Sequence, residues 1–269
     1  SASLPFLYLT EHNKTSPLTA PNFCMLLRKH IANGRIVRIY QPQMERIINF
    51  EIEHLDELGD LCKKTLIVEL MGKHSNIIFC SSDGMIIDSI KHVSAMMSSV
   101  REVLPGRAYS IPATQSDRLN PLEVTESAFL ESVMTKPSSI AKAVYTSFTG
   151  ISPVMASEIC FRASIDADMP VASLSGDAKL HLYRNFHWMM EDVANHSYCP
   201  NIISRGREPI DFFCFRLAEY EGADYTVTDY DSISRVLEEY YASKNIYTRI
   251  RQKSSDLRRI VGNAIERSR

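Results

Sequence analysis

Glu45-Arg46 is the residue pair with the clearest chemical potential in this chain, because it lies where a polar turn enters an apolar, strand-like run. An exposed arginine at such a place can stack on or pair with a nucleotide, while the neighbouring acid accepts hydrogen bonds from a base edge or orients the arginine. A surface ion pair, worth under about 1 kcal/mol, would use the same residue types. The residues alone leave both interpretations open.

Basic residues recur at two other places. Lys73-His74 and Lys91-His92 each stand at the edge of a predicted strand, where they could line a phosphate surface, although exposed polarity is common at strand ends. Between Lys244 and Arg269, eight basic residues stand against two acidic ones, which leaves a local charge of +6. A helix this basic suits a phosphate-lined surface, and a solvated coiled-coil face is the alternative.

The motifs of common enzyme classes are missing from the sequence. It contains no GxSxG turn for a nucleophilic hydrolase, no GxxxxGK[ST] or GxGxxG loop for a nucleotide, and no HExxH pair for a metal. The six cysteines form no CxxC pair, which favours buried thiols in a reduced, cytoplasmic protein. We therefore expect no enzymatic activity, no metal and no cofactor.

Bulk composition describes a globular chain without a strong global charge. The 269 residues are 45% hydrophobic, enough for two modest domains or one large one, and the net charge is −2. Contacts with nucleic acid must therefore come from local patches. No apolar run is long enough to cross a membrane, and no signal segment opens the chain, which does not begin with Met.

The first part of the chain is predicted to be mostly β. A helix over Phe23–Ile31 ends at Asn33-Gly34, as a left-handed cap requires. Alternating and apolar runs predict strands at Leu4–Leu9, Ile36–Gln41, Arg46–Ile52, Thr65–Leu70, Ser75–Cys80 and Met85–Ile90.

From Leu122 to about Ala194 the pattern is helical, and Trp188 is expected in its core. Thr149–Pro153 separates two of these helices, as in a helix-hairpin-helix element, although an ordinary interhelical turn fits the spacing better. Two short strands, Asp211–Leu217 and Tyr225–Val227, are expected to meet at a Gly222 turn and return to the first β-rich part. A long apolar stripe from Ile233 predicts a final helix.

These patterns predict an α+β chain with an inserted helical module. The expected limits are 1–113 for the first, truncated part of a β-rich domain, 114–196 for the helical helix-hairpin-helix module, 197–232 for the return strands and 233–269 for the start of a coiled-coil arm.

Several sequence blocks, in the right order, resemble the NFACT family, which includes fibronectin-binding protein A, RqcH and NEMF. The blocks are FCMLLRKHIANGRI, QPQMERI, ELMGKHSNII, DSIKHVS, VREVLPGRAY, FTGISPVMASEI and YYASKNIYTRIRQKSSDL. The resemblance implies a β domain similar in fold to the formamidopyrimidine-DNA glycosylases, followed by a helix-hairpin-helix module and a coiled coil. It also implies that roughly the first 50 residues of a typical member, the far coiled coil and the C-terminal domain are absent.

The family resemblance implies a role in ribosome quality control. The expected partners are tRNA, in particular alanyl-tRNA, and a large ribosomal subunit that holds peptidyl-tRNA, with alanine tailing of the stalled chain and a cytoplasmic, ribosome-associated location. The family's Asp-Arg pair falls on Glu45-Arg46 and its Glu-Ile-Met motif on Glu69-Leu70-Met71, and Lys73 stands where Arg is expected. The implied tRNA-binding residues are Glu45, Arg46, Glu69, Leu70, Met71, Lys73 and His74. The implied ribosome-binding residues are Arg249, Arg251, Lys253, Arg258 and Arg259.

Two other functions compete with this one. A surface adhesin is suggested by the family's fibronectin-binding name, and the unpaired cysteines and the lack of a signal argue against export as the main role. A DNA glycosylase is suggested only by fold similarity, which does not fix function, and the four-cysteine zinc finger of such enzymes is missing from the sequence.

Overall fold

A computed structural model describes residues 5–112, 118–222 and 224–246. The chain divides into two units. The first comprises Ser1–Phe6, Lys14–Ala156 and Asp168–Ser175, and the second comprises Leu7–Asn13, Ser157–Ala167 and Gly176–Arg269. Both units combine antiparallel strands with helices. The α+β class predicted from the sequence is therefore confirmed.

The first unit contains a five-stranded antiparallel sheet whose strands follow one another in chain order. Its strands are β1 (Arg35–Tyr40), β2 (Ile47–Leu55), β3 (Leu61–Glu69), β4 (Asn76–Cys80) and β5 (Ile86–Ser89). All five were predicted, because their apolar residues alternate or run together between turn residues. The apolar core beside this sheet is formed by Ile47, Ile67, Ile78, Cys80, Ile86 and Val103.

Helix α1 (Asn22–Ile31) contacts this sheet, and the ring of His30 lies 5.9 Å from that of Phe79. Asn33 has a φ of 61°, so the predicted left-handed end of the helix is confirmed. Strand β1 is an edge strand with mostly exposed side chains, including Ile39, which is 59% exposed. Strand β1 therefore contributes few buried side chains to the apolar core.

The strand predicted at Leu4–Leu9 is wrong over its described part, because residues 5–9 pair with no strand. Pro5 has no N–H to give to a ladder, and the N–H of Leu9 donates to the Ser234 hydroxyl at 2.9 Å. Thr10 in turn donates to Glu238 at 2.7 Å. This segment therefore forms hydrogen bonds with side chains, and it does not join a β-sheet despite its alternating apolar residues.

The helices of the first unit follow the sheet in sequence. They are α2 (Glu126–Met134), α3 (Ile140–Ser147) and the first residues of α4 (Pro153–Arg162). Thr125 caps α2, its hydroxyl accepting from the N–H of Ala128. The buried rings of Phe129 and Phe148 stack with centroids 5.6 Å apart, which joins α2 to the segment after α3.

The second unit contains the rest of α4, helix α5 (Gly176–Ala194), a helix that begins at residue 233 and is described to 246, and a three-stranded antiparallel sheet. The sheet order is β7 (Glu208–Phe213), β6 (Asn201–Arg205), β8 (Thr226–Asp229). The core here includes Ile202, Val236 and Tyr240. The predicted helix from Ile233 is confirmed as far as residue 246.

Three predictions for the second unit need correction. Strand β6 was missed, and it lies between the two expected strands, so these do not pair with each other at a Gly222 turn. The three strands form a sheet of their own instead of adding to the five-stranded one. Trp188 is 54% exposed, because the buried face of α5 passes through Phe186, Met189 and Met190.

The described residues form no membrane-spanning helix, no metal-binding cluster and no disulfide. Their helices include none that is long and apolar enough to cross a membrane. No group of three or more His, Cys, Asp or Glu side chains among them is placed to hold a metal ion. All six cysteines are free, and Cys80 and Cys160 are buried.

Candidate nucleic-acid interface

One end of the β2–β3 hairpin brings the two motif segments together. The first residue of β2, Ile47, pairs with the last residue of β3, Glu69. Just beyond this pair, the N–H of Leu70 donates to the carbonyl of Arg46 at 2.8 Å. Because the ladder fixes this register, Glu45-Arg46 and Glu69-Leu70-Met71 lie side by side at one end of strands β2 and β3.

A tight turn presents Glu45-Arg46. The N–H of Glu45 donates to the carbonyl of Pro42 at 3.1 Å, and the Gln41 amide donates to the carbonyl of Glu45 at 2.6 Å. Gln43 takes a left-handed backbone with φ 51°. These backbone contacts leave the Arg46 side chain exposed, while Glu45 is partly exposed.

The geometry bears on the ion-pair interpretation of Glu45-Arg46. Among the residues that the structure describes, neither Glu45 nor Arg46 takes part in an ion pair. A surface ion pair between them is therefore not the reason for their adjacency. The guanidinium of Arg46 keeps its donors available for a bound group.

Glu69 has a different environment, because its side chain is buried. Arg101 donates from Nη2 to both carboxylate oxygens, at 2.6 and 2.5 Å, and the Tyr109 hydroxyl donates to Oε1 at 2.9 Å. Burial, with the charge of Glu69 as the second cause, raises the pKa of Tyr109 far above its ordinary value. The Tyr109 hydroxyl therefore stays a donor, and the oxygens of Glu69 are engaged inside the protein.

Of the residues that follow Glu69, Met71 faces the protein interior, whereas Lys73 and His74 face solvent. Met71 packs against the apolar core, and its N–H donates to the Ser75 hydroxyl at 2.8 Å. Gly72–His74 forms a 3-10 turn in which Lys73 and His74 are exposed. This turn therefore presents the two basic side chains to solvent.

The second Lys-His pair lies close to the first. Lys91 donates from Nζ to the carbonyl of Lys73 at 3.1 Å, which places its ammonium beside the 3-10 turn. His92, by contrast, contacts Asp88 at 2.7 Å. Lys91 thus adds positive charge near Lys73, whereas an acid faces His92.

Arg118 was missed by the sequence analysis. Its guanidinium is partly buried, and this burial lowers the pKa of Arg118. The positive charge of Arg46 also lowers this pKa, whereas the negative charge of Glu45 acts in the opposite direction. No sequence pattern marks Arg118, because 70 or more residues separate it from the segment it adjoins. Arg101 and Tyr109, the partners of Glu69, were also missed as individual residues, although both lie in the block VREVLPGRAY.

The structure therefore places Arg46 beside Leu70, which the exposed turn of Lys73 and His74 follows closely in the chain. Glu69 and Met71, on either side of Leu70, face the interior. The five basic residues expected to contact the ribosome, Arg249, Arg251, Lys253, Arg258 and Arg259, lie outside the described residues.

Comparison with known proteins identifies the family. A family model described as the NFACT N-terminal and middle domains matches residues 1–269. The Rqc2 homolog RqcH of Bacillus subtilis (strain 168) is 34% identical over 261 residues, which are 96% of this chain and 42% of that protein. The chain thus spans less than half the length of this relative.

Two solved structures are similar to this chain. The N-terminal part of the fibronectin/fibrinogen-binding protein from Streptococcus suis matches with a TM-score of 0.69 and 29% identity, over 90% of this chain and 80% of that one. The fibrinogen binding protein from Staphylococcus aureus matches with a TM-score of 0.67 and 28% identity, over 83% and 76%. The similarity of sequence and fold extends along most of the chain, and the chain belongs to the NFACT family.

Proposed function

We propose that this chain is the tRNA-binding part of a ribosome quality-control factor. The observation that carries the proposal is the exposed Arg46, which forms no ion pair within the described residues and which the sheet register holds beside Leu70, just before the basic turn of Lys73 and His74. Cations that have no acidic partner can neutralise RNA phosphates, and an arginine can also stack on a base. The name of the Bacillus relative supports a role in this process.

The remaining parts of the proposal concern the whole protein. Its partners are tRNA, in particular alanyl-tRNA, and a large ribosomal subunit that carries peptidyl-tRNA, and its process is alanine tailing of stalled chains. The factor binds and positions RNA, peptide transfer stays with the ribosome, and the protein acts in the cytoplasm. The net charge of −2 agrees with recognition by a local patch instead of a basic surface overall.

We also propose the finer architecture. The β-rich part, 1–113, has a fold like that of the formamidopyrimidine-DNA glycosylases, and 114–196 is a helix-hairpin-helix module that includes the Gly150 turn. Residues 197–232 carry the separate three-stranded sheet, and 233–269 begin a coiled-coil arm. The exposed, basic turn of the first part and the expected basic arm would then contact different RNA partners.

A binding assay with labelled total tRNA across a salt series tests the proposal. Wild-type chain should bind, with log K falling linearly with log salt, and Arg46→Ala should weaken binding and reduce the slope by about 1, because one phosphate contact is lost. Arg35→Ala is the matched control, since Arg35 lies at the opposite end of the sheet strands and pairs with Glu53. Equal losses for both variants, or no binding by the wild type, would refute the proposal.

A second candidate function is binding to fibronectin. The name of the Streptococcus suis structure, a fibronectin/fibrinogen-binding protein, favours it, and the exposed edge strand β1 offers free backbone groups to an extended peptide. A titration of immobilised fibronectin with wild type and an Ile39→Pro variant distinguishes this mode, because proline removes a backbone donor at the edge. Unchanged binding by the variant would exclude strand addition at β1.

A further inference from the structure

The contacts around the Gly150 turn link two arginines that are far apart in sequence. Gly150 has a φ of +78°, and a Cβ built there would lie 2.6 Å from both Cβ and the carbonyl oxygen of Met44. The turn that presents Arg46 therefore lies directly against the Gly150 turn, with no room for a side chain between them.

The same turn also fixes the backbone next to Arg118. The N–H of Leu119 donates to the carbonyl of Ser147 at 2.9 Å, and the N–H of Thr149 donates to the carbonyl of Leu119 at 3.0 Å. Leu119 and Phe148 thereby form an isolated parallel bridge. The segments that carry Arg46 and Arg118 are thus anchored to neighbouring residues of one turn.

The charges near Arg118 fit this placement. Glu45 and Arg46 carry charges that act on its guanidinium, which is itself partly removed from water. Within the described ranges, no ion pair or side-chain hydrogen bond engages the guanidinium of either arginine. Two guanidiniums and one carboxylate leave an excess of positive charge that an anion between them would neutralise.

We propose that Arg46 and Arg118 bind one and the same phosphate group of the RNA backbone, as a two-arginine clamp whose spacing the contact between Gly150 and Met44 sets. Guanidinium groups suit this task, because each presents two parallel donors to phosphate oxygens. Glu45 lies beside the clamp and offsets the repulsion between its two cations when RNA is absent. This inference rests on the proposed function, since the phosphate belongs to the bound tRNA.

A double-mutant cycle on tRNA binding tests the shared ligand. Arg46→Ala and Arg118→Ala should each weaken binding about 10-fold, because each removes charge-assisted hydrogen bonds to phosphate. Two arginines on one phosphate act as a unit, so the double variant should lose only about 10- to 30-fold instead of the roughly 100-fold expected for independent contacts. Arg118→Lys keeps the charge, loses the fork and should fall between wild type and Arg118→Ala.

Gly150→Ala tests the spacing without changing any charge. A Cβ at this position meets Met44, so the two turns must separate, and binding should weaken although both arginines remain. Circular dichroism and a thermal melt of each variant show whether the fold persists. If Gly150→Ala does not fold, the cycle on Arg46 and Arg118 still decides the matter.

The outcomes separate the two proposals. No tRNA binding by the wild-type chain refutes the proposed function and this inference with it. Binding that depends on Arg46 and not on Arg118 refutes the clamp alone. Fully additive losses in the double variant also refute it, because they would assign the two arginines to separate phosphates.

Discussion

Replacing Glu69 should lower the stability of the first unit, because this residue lies in the interior and not on the binding surface. The carboxylate is buried and accepts three hydrogen bonds, two from Arg101 and one from Tyr109. Glu69→Ala leaves Arg101, whose side chain is only 14% exposed, without its acid, and loss of one partner of a buried ion pair costs about 3–5 kcal/mol. Total stabilities of domains are about 5–15 kcal/mol, so this change should remove a large part.

Two milder variants measure separate contributions to this loss of stability. Tyr109→Phe removes one hydrogen bond to a charged group and should cost about 1.5 kcal/mol. Glu69→Gln keeps the shape but turns an amide N–H toward Arg101, so a donor faces a donor, and about 2–3 kcal/mol should be lost. Glu45→Ala, at the partly exposed turn nearby, is the matched control and should change stability by less than about 0.5 kcal/mol.

Urea unfolding followed by far-ultraviolet circular dichroism measures these free energies. The fluorescence of the single tryptophan is a useful second probe, because Trp188 belongs to the second unit and should report little of the change. A loss below about 1 kcal/mol for Glu69→Ala would refute the structural assignment of this carboxylate. Weaker tRNA binding by Glu69→Gln at unchanged stability would instead make Glu69 a direct RNA contact.

Two further predictions concern thiols and a buried acid. Burial raises the pKa of Cys80 to about 11, so at pH 8 only about one thiol in a thousand is ionised, and iodoacetamide should label the partly exposed Cys24 well before Cys80. Rapid labelling of Cys80 in the folded chain, read by peptide mass spectrometry, would contradict its burial. In the second unit, Glu158 is buried, accepts a hydrogen bond from Arg162 at 2.7 Å and accepts another from the N–H of Ala218 at 3.0 Å. Glu158→Ala should therefore lower the free energy of unfolding by about 3 kcal/mol. Urea unfolding followed by tryptophan fluorescence measures this loss, and an unchanged midpoint would refute the prediction.

Local sequence pattern was sufficient for most of the first unit. Strands β2 to β4 carry long apolar or alternating runs between turn residues, so their limits were predicted to within a few residues. The segment at residues 5–9 has the same alternation but no partner strand, and alternation cannot reveal whether a partner exists. Strand β6 was missed because it is short and follows a polar stretch.

The candidate site shows a similar division. Arg46 was identified because a polar turn before a strand and the family motif both mark it. The burial of Glu69 was not predictable, since it depends on Arg101 and Tyr109, which are 32 and 40 residues away in sequence. Arg118 was missed for the same physical reason: its position depends on the packing of a turn around Gly150, which a linear pattern does not contain.

The order of the five-stranded sheet has a consequence for how the first unit forms. Each strand from β1 to β5 pairs with the strand that precedes or follows it directly in the chain. The loops to be closed are therefore short, and closing a short loop costs less chain entropy than closing a long one. Sheets built from such neighbouring pairs fold comparatively fast, because no strand waits for a distant partner. The sheet that presents Arg46 can thus assemble hairpin by hairpin as the chain leaves the ribosome, before the segments of the second unit from Ser157 onward have been synthesised.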